Sequence, residues 1–140
     1  MKTFHIYTDA SCKYNKQAVG GIVIVENNTI LETLNVQFGK QIKHFDADKI
    51  EYRTLRSGYR YIIKNYIFNK LIFYCDNINA IKKFKSNFGD VNFLEVNYIK
   101  SHFPKGTINN KFNCLADWIA RNNTTDINKV NNHFNYLLNL

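Results

Sequence analysis

Two short apolar runs, Phe4-His5-Ile6-Tyr7-Thr8 and Leu71-Ile72-Phe73-Tyr74-Cys75, each lead into an aspartate, Asp9 and Asp76. Both are rich in aromatic and branched residues, which predicts two core strands with a carboxylate at each exposed tip. The second run follows a helical pattern and is continuously apolar, as a buried parallel strand should be. If the two strands are parallel neighbours, a spacing of about 4.8 Å brings Asp9 and Asp76 together at one edge of the sheet. A single aspartate at a strand end is ordinarily a turn former or a helix cap. Two at adjacent strand ends repel, raise each other's pKa and cost stability unless cations lie between them.

The remaining elements follow in order. Lys13 to Gln17 is polar and turn-like, and Ala18 to Glu26 reads as a second strand. Asn27-Asn28 then forms a tight hairpin, because asparagine tolerates the positive φ of two-residue turns. In the third strand Ile30, Leu34, Val36 and Phe38 are expected on one face, with Leu31, Thr33, Asn35 and Gln37 on the other. A polar loop through Lys43, His44 and Asp46 leads to a helix. There Asp48 and Glu51 resemble a capping box, and Ile50, Leu55, Tyr59, Ile62, Ile63 and Tyr66 make an apolar stripe with Glu51 on its flank. Gly58 inside this helix predicts close packing on the sheet. Asn77 to Phe88 reads as a helix with Lys82, Lys83 and Lys85 mostly outward, and Val91 to Ile99 as the last strand. Lys111 to Asn122 reads as a helix with Phe112, Leu115, Trp118 and Ile119 in the core. A final helix is capped by Asp126. The order βββαβαβα plus a terminal helix predicts one α/β domain over residues 1–140, a mixed sheet with helices on both faces.

Charge narrows the partners. Nineteen Lys and Arg against eleven Asp and Glu leave a formal charge of +8, which favours a polyanion, nucleic acid before an anionic membrane surface. No apolar run is long enough to span a bilayer, and the N-terminus lacks a signal-peptide profile. A cytoplasmic monomer with no obligate protein partner is therefore expected. Cys12, Cys75 and Cys114 are well separated, which argues for reduced thiols rather than a disulfide framework. Cys75 precedes Asp76 on a strand and is expected to point to the opposite face, which argues against a zinc site.

Five elements of the chain, in order, resemble the motif set of type 1 ribonuclease H: Thr8-Asp9-Ala10-Ser11-Cys12, then Glu51, Asp76, Lys100-Ser101-His102, and Asn113 through Asp117 to Ala120-Arg121. The resemblance spans essentially the whole chain. It implies a five-stranded sheet, three antiparallel strands then two parallel, with the Asp9 and Asp76 strands adjacent at its centre. It implies Asp9, Glu51, Asp76, His102 and Asp117 as catalytic residues. Asp9 would bridge two metal ions, with Asp76 and Glu51 on one and Asp117 on the other. His102 would move protons or help product leave. Ser11, Cys12, Asn77, Lys82, Lys83, Lys85 and Lys100 are the expected substrate contacts. The chain departs from the pattern in four places. Ser101 replaces a glycine, and the stretch from Phe103 to Phe112 is longer than usual. Ala47-Asp48-Lys49-Ile50 lacks the asparagine that usually precedes the helix glutamate, and a basic, Trp-bearing protrusion before the last strand is absent.

Four oxygen donors without a His or Cys quartet suit Mg²⁺, or Mn²⁺, and two such ions about 3.5–4 Å apart can activate water and stabilise a leaving oxygen. The expected function is a metal-dependent endonuclease that hydrolyses the RNA strand of RNA–DNA hybrids to 5′-phosphate and 3′-hydroxyl ends. Two alternatives share these residues: a resolvase-like or integrase-like DNA nuclease on the same fold, and a non-catalytic hybrid- or duplex-binding module. The Lys-x-His loop and the Asn113 spacing weigh against the first, and the intact carboxylates against the second.

Overall fold

The first apolar run becomes the middle strand of a five-stranded sheet. A computed structural model describes residues 1–12, 16–40 and 46–140. The turn expected around Lys13 and the loop at Lys43 and His44 lie outside the described residues. The elements are β1 (Thr3–Ser11), β2 (Gln17–Glu26), β3 (Thr29–Lys40), α1 (Ala47–Asn65), β4 (Lys70–Cys75), α2 (Ile78–Phe88), β5 (Leu94–Tyr98), α3 (Ile108–Asn122) and α4 (Ile127–Leu138). Strand order is β3-β2-β1-β4-β5, antiparallel from β3 to β1 and parallel from β1 to β5, as expected. The β1–β4 register runs from Thr3 opposite Lys70 to Tyr7 opposite Tyr74. Two residues further on, the same register sets Asp9 level with Asp76.

Period-two alternation divides the core between the two faces of the sheet. Phe4, Ile6, Ile22, Ile24, Leu71 and Phe73 face α1 and α2, where Leu55, Ile62 and Phe84 meet them. Tyr7, Val23 and Val25 face α3 and α4 and pack on Phe112, Leu115, Ile119, Val130 and Leu137. Each such side chain contributes about 1.5–3 kcal/mol relative to its exposed state.

Two glycines of β2 let helices approach both faces. A Cβ on Gly20 would collide with the Thr54 side chain of α1, and a Cβ on Gly21 would collide with the Ala116 carbonyl and lie 2.9 Å from the Ala120 amide nitrogen of α3. Gly21 is also the register partner of Asp9. The close approach therefore carries Asp117, next to Ala116, toward the β1 carboxylate.

Several local expectations are corrected. Asp9 is not at an exposed tip: β1 continues through Ser11, and Asp9 is 4% exposed. Ile30 packs on the α3–α4 face whereas Leu34 and Val36 pack on the other. The pairing steps from Ile24 opposite Glu32 to Val25 opposite Ile30, and the residue added by this bulge inverts the alternation. Helix α1 is capped by Asp46, which accepts the Lys49 amide at 3.1 Å, and not by Asp48. Ile63 leaves the expected stripe and is exposed. Gly58 does pack on the sheet as expected: a Cβ there would lie 3.5 Å from Phe73 and 3.6 Å from Ile22, in ordinary contact. Helix α3 begins at Ile108, with a capping box made by Thr107 and Asn110, and β5 is confined to the length over which β4 can pair with it. Trp118 is only half-buried, its ring stacked on His133. The hairpin at Asn27 and Asn28, with φ of 51° and 60°, and the Asp126 cap of α4 are as expected.

The two kinds of glycine should separate in denaturant titrations. Gly58→Ala is expected to stabilise the fold by about 0.5–1 kcal/mol, because a helical glycine is replaced where the methyl fits. Gly21→Ala is expected to cost about 1–3 kcal/mol, because its methyl meets helix backbone.

Candidate active site

Four elements deliver one carboxylate each to a cavity of about 350 Å³: β1 supplies Asp9, the turn after β4 supplies Asp76, α1 supplies Glu51 and α3 supplies Asp117. Ala10, Ser11, Cys12, Ser101, His102 and Arg121 complete the lining. The Ala10 amide donates both to Asp9 Oδ1 at 2.9 Å and to Glu51 Oε1 at 3.1 Å, so one backbone N–H holds two acids in register. Asp117 is held one helical turn from Arg121, whose Nε donates to it at 3.0 and 3.1 Å. Arg121 closes the family motif in the sequence, yet its function was not legible there. The signal that could have found it is its i,i+4 spacing from Asp117.

Crowding and burial act in one direction on three of the acids. Burial holds the Asp9 carboxyl well above the usual carboxylate range, reinforced by Glu51 and Asp76. Burial likewise pushes Glu51 up to about 8, opposed by its hydrogen bonds and reinforced by Asp76. Asp76 is raised by burial, with His102 pulling it back and Asp117 adding to the rise. Cys75 does not face away from this group. Its Sγ lies 3.8 Å from Glu51 Oε2, and ligand atoms of Glu51, Cys75 and Asp76 fall within 4.8 Å of one another. Asp76 lies past the last residue of β4, so strand alternation does not separate it from Cys75. Burial and the adjacent Glu51 push the Cys75 thiol up, which keeps it a protonated donor to Glu51 rather than a thiolate ligand.

His102 stands at the rim with φ of 51°, a left-handed conformation that is uncommon outside glycine. Its Nδ1 is 3.9 Å from Asp117 Oδ2, and its side chain is 60% exposed. Ser11 and Cys12 line the cavity. Asn77 does not line it. Asn77 caps α2 by accepting the Ala80 amide and donates its own side-chain amide to Asp48 at 2.8 Å. Asn79 donates to the other oxygen of Asp48 at 3.0 Å, so Asp48 ties α1 to the start of α2. Lys82, Lys83 and Lys85 lie on the outer face of α2, with Lys83 Nζ 4.5 Å from the centre of the Tyr52 ring. Lys100 Nζ is 4.9 Å from the centre of the Phe103 ring. None of these four lysines lines the carboxylate cavity.

No protein-family model matches the chain, and no curated protein matches it. Solved structures do, at low identity. Prototype foamy virus protease-reverse transcriptase aligns at 16% identity and a TM-score of 0.70, over 91% of this chain and 21% of that one. The N-terminal RNase H domain of rv2228c from Mycobacterium tuberculosis aligns at 15% identity and a TM-score of 0.61, over 87% and 93% of the two chains. The fold is that of ribonuclease H. LC11-RNase H1, isolated from compost by a metagenomic approach, aligns at 16% identity and a TM-score of 0.57, over 85% and 93%. It has also been solved in complex with an RNA/DNA hybrid, to which the chain aligns with a TM-score of 0.52. This chain spans about a fifth of the foamy virus chain it matches.

The donor set of this ribonuclease H fold suits a hard divalent cation. Four carboxylates converge where, among the described residues of the lining, Arg121 is committed to Asp117 and His102 stands at the rim. An oxygen-only set with this much uncompensated charge fits Mg²⁺ or Mn²⁺ better than soft metals.

A carboxyl whose folded-state pKa lies above its unfolded value opposes folding once it ionises. That penalty is absent below the ordinary carboxylate range and grows as pH rises, up to about 8 for Glu51. Without divalent ions, thermal stability is expected to fall between pH 5 and 8 more steeply than in Glu51→Gln. Added Mg²⁺ should flatten the difference, and calorimetry in chelator and in Mg²⁺ measures both.

Proposed function

We propose that this domain is a divalent-metal-dependent endonuclease that hydrolyses the RNA strand of RNA–DNA hybrids, leaving 5′-phosphate and 3′-hydroxyl ends. The observation that carries the reading is the convergence of Asp9, Glu51, Asp76 and Asp117, from four separate elements of a ribonuclease H fold, into one cavity, where burial and crowding hold Asp9, Glu51 and Asp76 above the ordinary carboxyl range. These four would hold two Mg²⁺ ions, which when bound supply Lewis acidity for water activation and for the leaving oxygen.

The chain's own residues prepare that chemistry. The Ala10 amide orients Glu51 and Asp9 toward the cavity, and Arg121 fixes the Asp117 carboxylate. His102, exposed at the rim beside Asp117, would carry a proton to or from the solvent side. The formal charge of +8 favours a phosphate backbone as partner, and LC11-RNase H1, which shares the fold, has been solved with a hybrid. Selection of a hybrid rests on 2′-hydroxyls on one strand and a deoxy backbone on the other. No helix of the described residues is long and apolar enough to cross a membrane.

Digestion of labelled hybrid, duplex RNA and duplex DNA in Mg²⁺, Mn²⁺ or chelator tests the reading. Cutting is expected for the hybrid alone and only with metal, whereas cutting of DNA but not hybrid would favour a resolvase-like enzyme. Asp76→Asn is expected to lower the cleavage rate by more than about a hundredfold, since even outer partners of metal ligands reach that scale. The variant should still bind hybrid, and relief of crowded charge should raise its melting temperature in chelator.

A further inference from the structure

Beside the carboxylate cavity lies a second hollow of about 420 Å³, between α3, α4 and the loop that bears His102. One wall is aromatic. The rings of Trp118 and His133 stack 4.9 Å apart at 12°, and His133 and Tyr136 are 5.6 Å apart. Pro104, Leu137 and Leu140 supply apolar lining. The hollow is held in shape by Lys111, whose Nζ donates to the Pro104 carbonyl at 2.8 Å and to the Leu137 carbonyl at 2.6 Å, tying the histidine loop to the end of α4. His102, Asp117 and Arg121 line both cavities, so the carboxylates and the aromatic shelf lie on either side of one shared wall.

The geometry points to this hollow as the seat of one unpaired nucleobase of the RNA strand, adjoining the scissile phosphate, so that hybrid ends and junctions are preferred over uninterrupted hybrid. The inference rests on the nuclease reading and specifies its substrate. Aromatic faces stack on any base; Trp118 and His133 cover one another, and the exposed Tyr136 ends the row of rings next to apolar side chains. A base inside a duplex has both faces covered, so only a base freed from pairing can enter. The shared wall of His102, Asp117 and Arg121 then leaves that nucleotide's phosphate on the carboxylate side, where a phosphodiester is to be cut.

Trp118 is the chain's only tryptophan, so its fluorescence reports on the shelf directly. Adenosine, a base and its ribose without a phosphate, is expected to quench it saturably with no metal present. Tyr136→Ala should weaken that binding about fivefold or more, and Tyr136→Phe should preserve it, because stacking needs the ring and not the hydroxyl. Tyr136 is 59% exposed, so neither change threatens the core. In Mg²⁺, the KM for a hybrid with an unpaired RNA tail should be about fivefold or more below that for a blunt hybrid, and Tyr136→Ala should bring the two together. Absence of saturable quenching, or quenching and a KM ratio unmoved by Tyr136→Ala, overturns the inference. Cutting of both hybrids without preference also overturns it while the nuclease reading stands. Adenosine binding with neither hybrid cut removes the nuclease reading and leaves only a base-binding hollow.

Discussion

Strand β2 is clamped between α1 on one face of the sheet and α3 on the other, and at the clamp it carries Gly20 and Gly21. The clamp sets the distances on which the cavity depends. Glu51 lies less than a turn before Thr54, the residue that meets Gly20, and Asp117 follows Ala116, the residue that meets Gly21. Side chains on β2 at these positions would push both helices outward, and with them two of the four carboxylates. The other two depend on the β1–β4 register, which places Asp9 level with Asp76. The acids are thus brought together by packing and hydrogen-bonded strands, not by attraction among themselves.

Electrostatics works against this arrangement. Asp9 and Glu51 are almost wholly buried; Glu51 raises the cost of ionising Asp9, and Asp76 raises it for both. The surrounding donors relieve the strain only in part: one amide from Ala10, a long contact from the Cys75 thiol, and Arg121, which serves Asp117 alone. Sites that must bind a highly charged ligand commonly keep such an imbalance, because neutralising it within the protein would remove the reason to bind. Hydrophobic burial on both faces of the sheet carries the stability that the cavity gives up.

The two core strands were legible because β1 and β4 are short runs rich in aromatic and branched residues, each leading into an acid. Their adjacency was only conditional on those runs, and the strand order came from the resemblance to type 1 ribonuclease H. Features decided by tertiary context were not legible. The bulge opposite Val25 sends Ile30 to the face opposite the one its spacing implies. Asp46 and Asp48 are equally plausible caps as letters, and Asn77 and Asn79, which claim Asp48, lie on a distant element. Thr107 and Asn110 cap α3 with an asparagine where glutamate or glutamine is the usual sign, which hid the first turn of that helix. Cys75 seemed separated from Asp76 by strand alternation, a rule that stops where the strand stops. Trp118 satisfied the helical spacing of a core residue, but α4 covers only part of its ring.

The double hydrogen bond from Lys111 gives α4 a role beyond closing the core. One ammonium group grips the loop of His102 at Pro104 and the last turn of α4 at Leu137. That side chain works as a tie-rod between the loop of the rim histidine and α4. Disturbance at the far end of α4 would reach the mouth of the acidic cavity as a change in timing, altering how quickly ligands come and go while the carboxylates themselves stay in place.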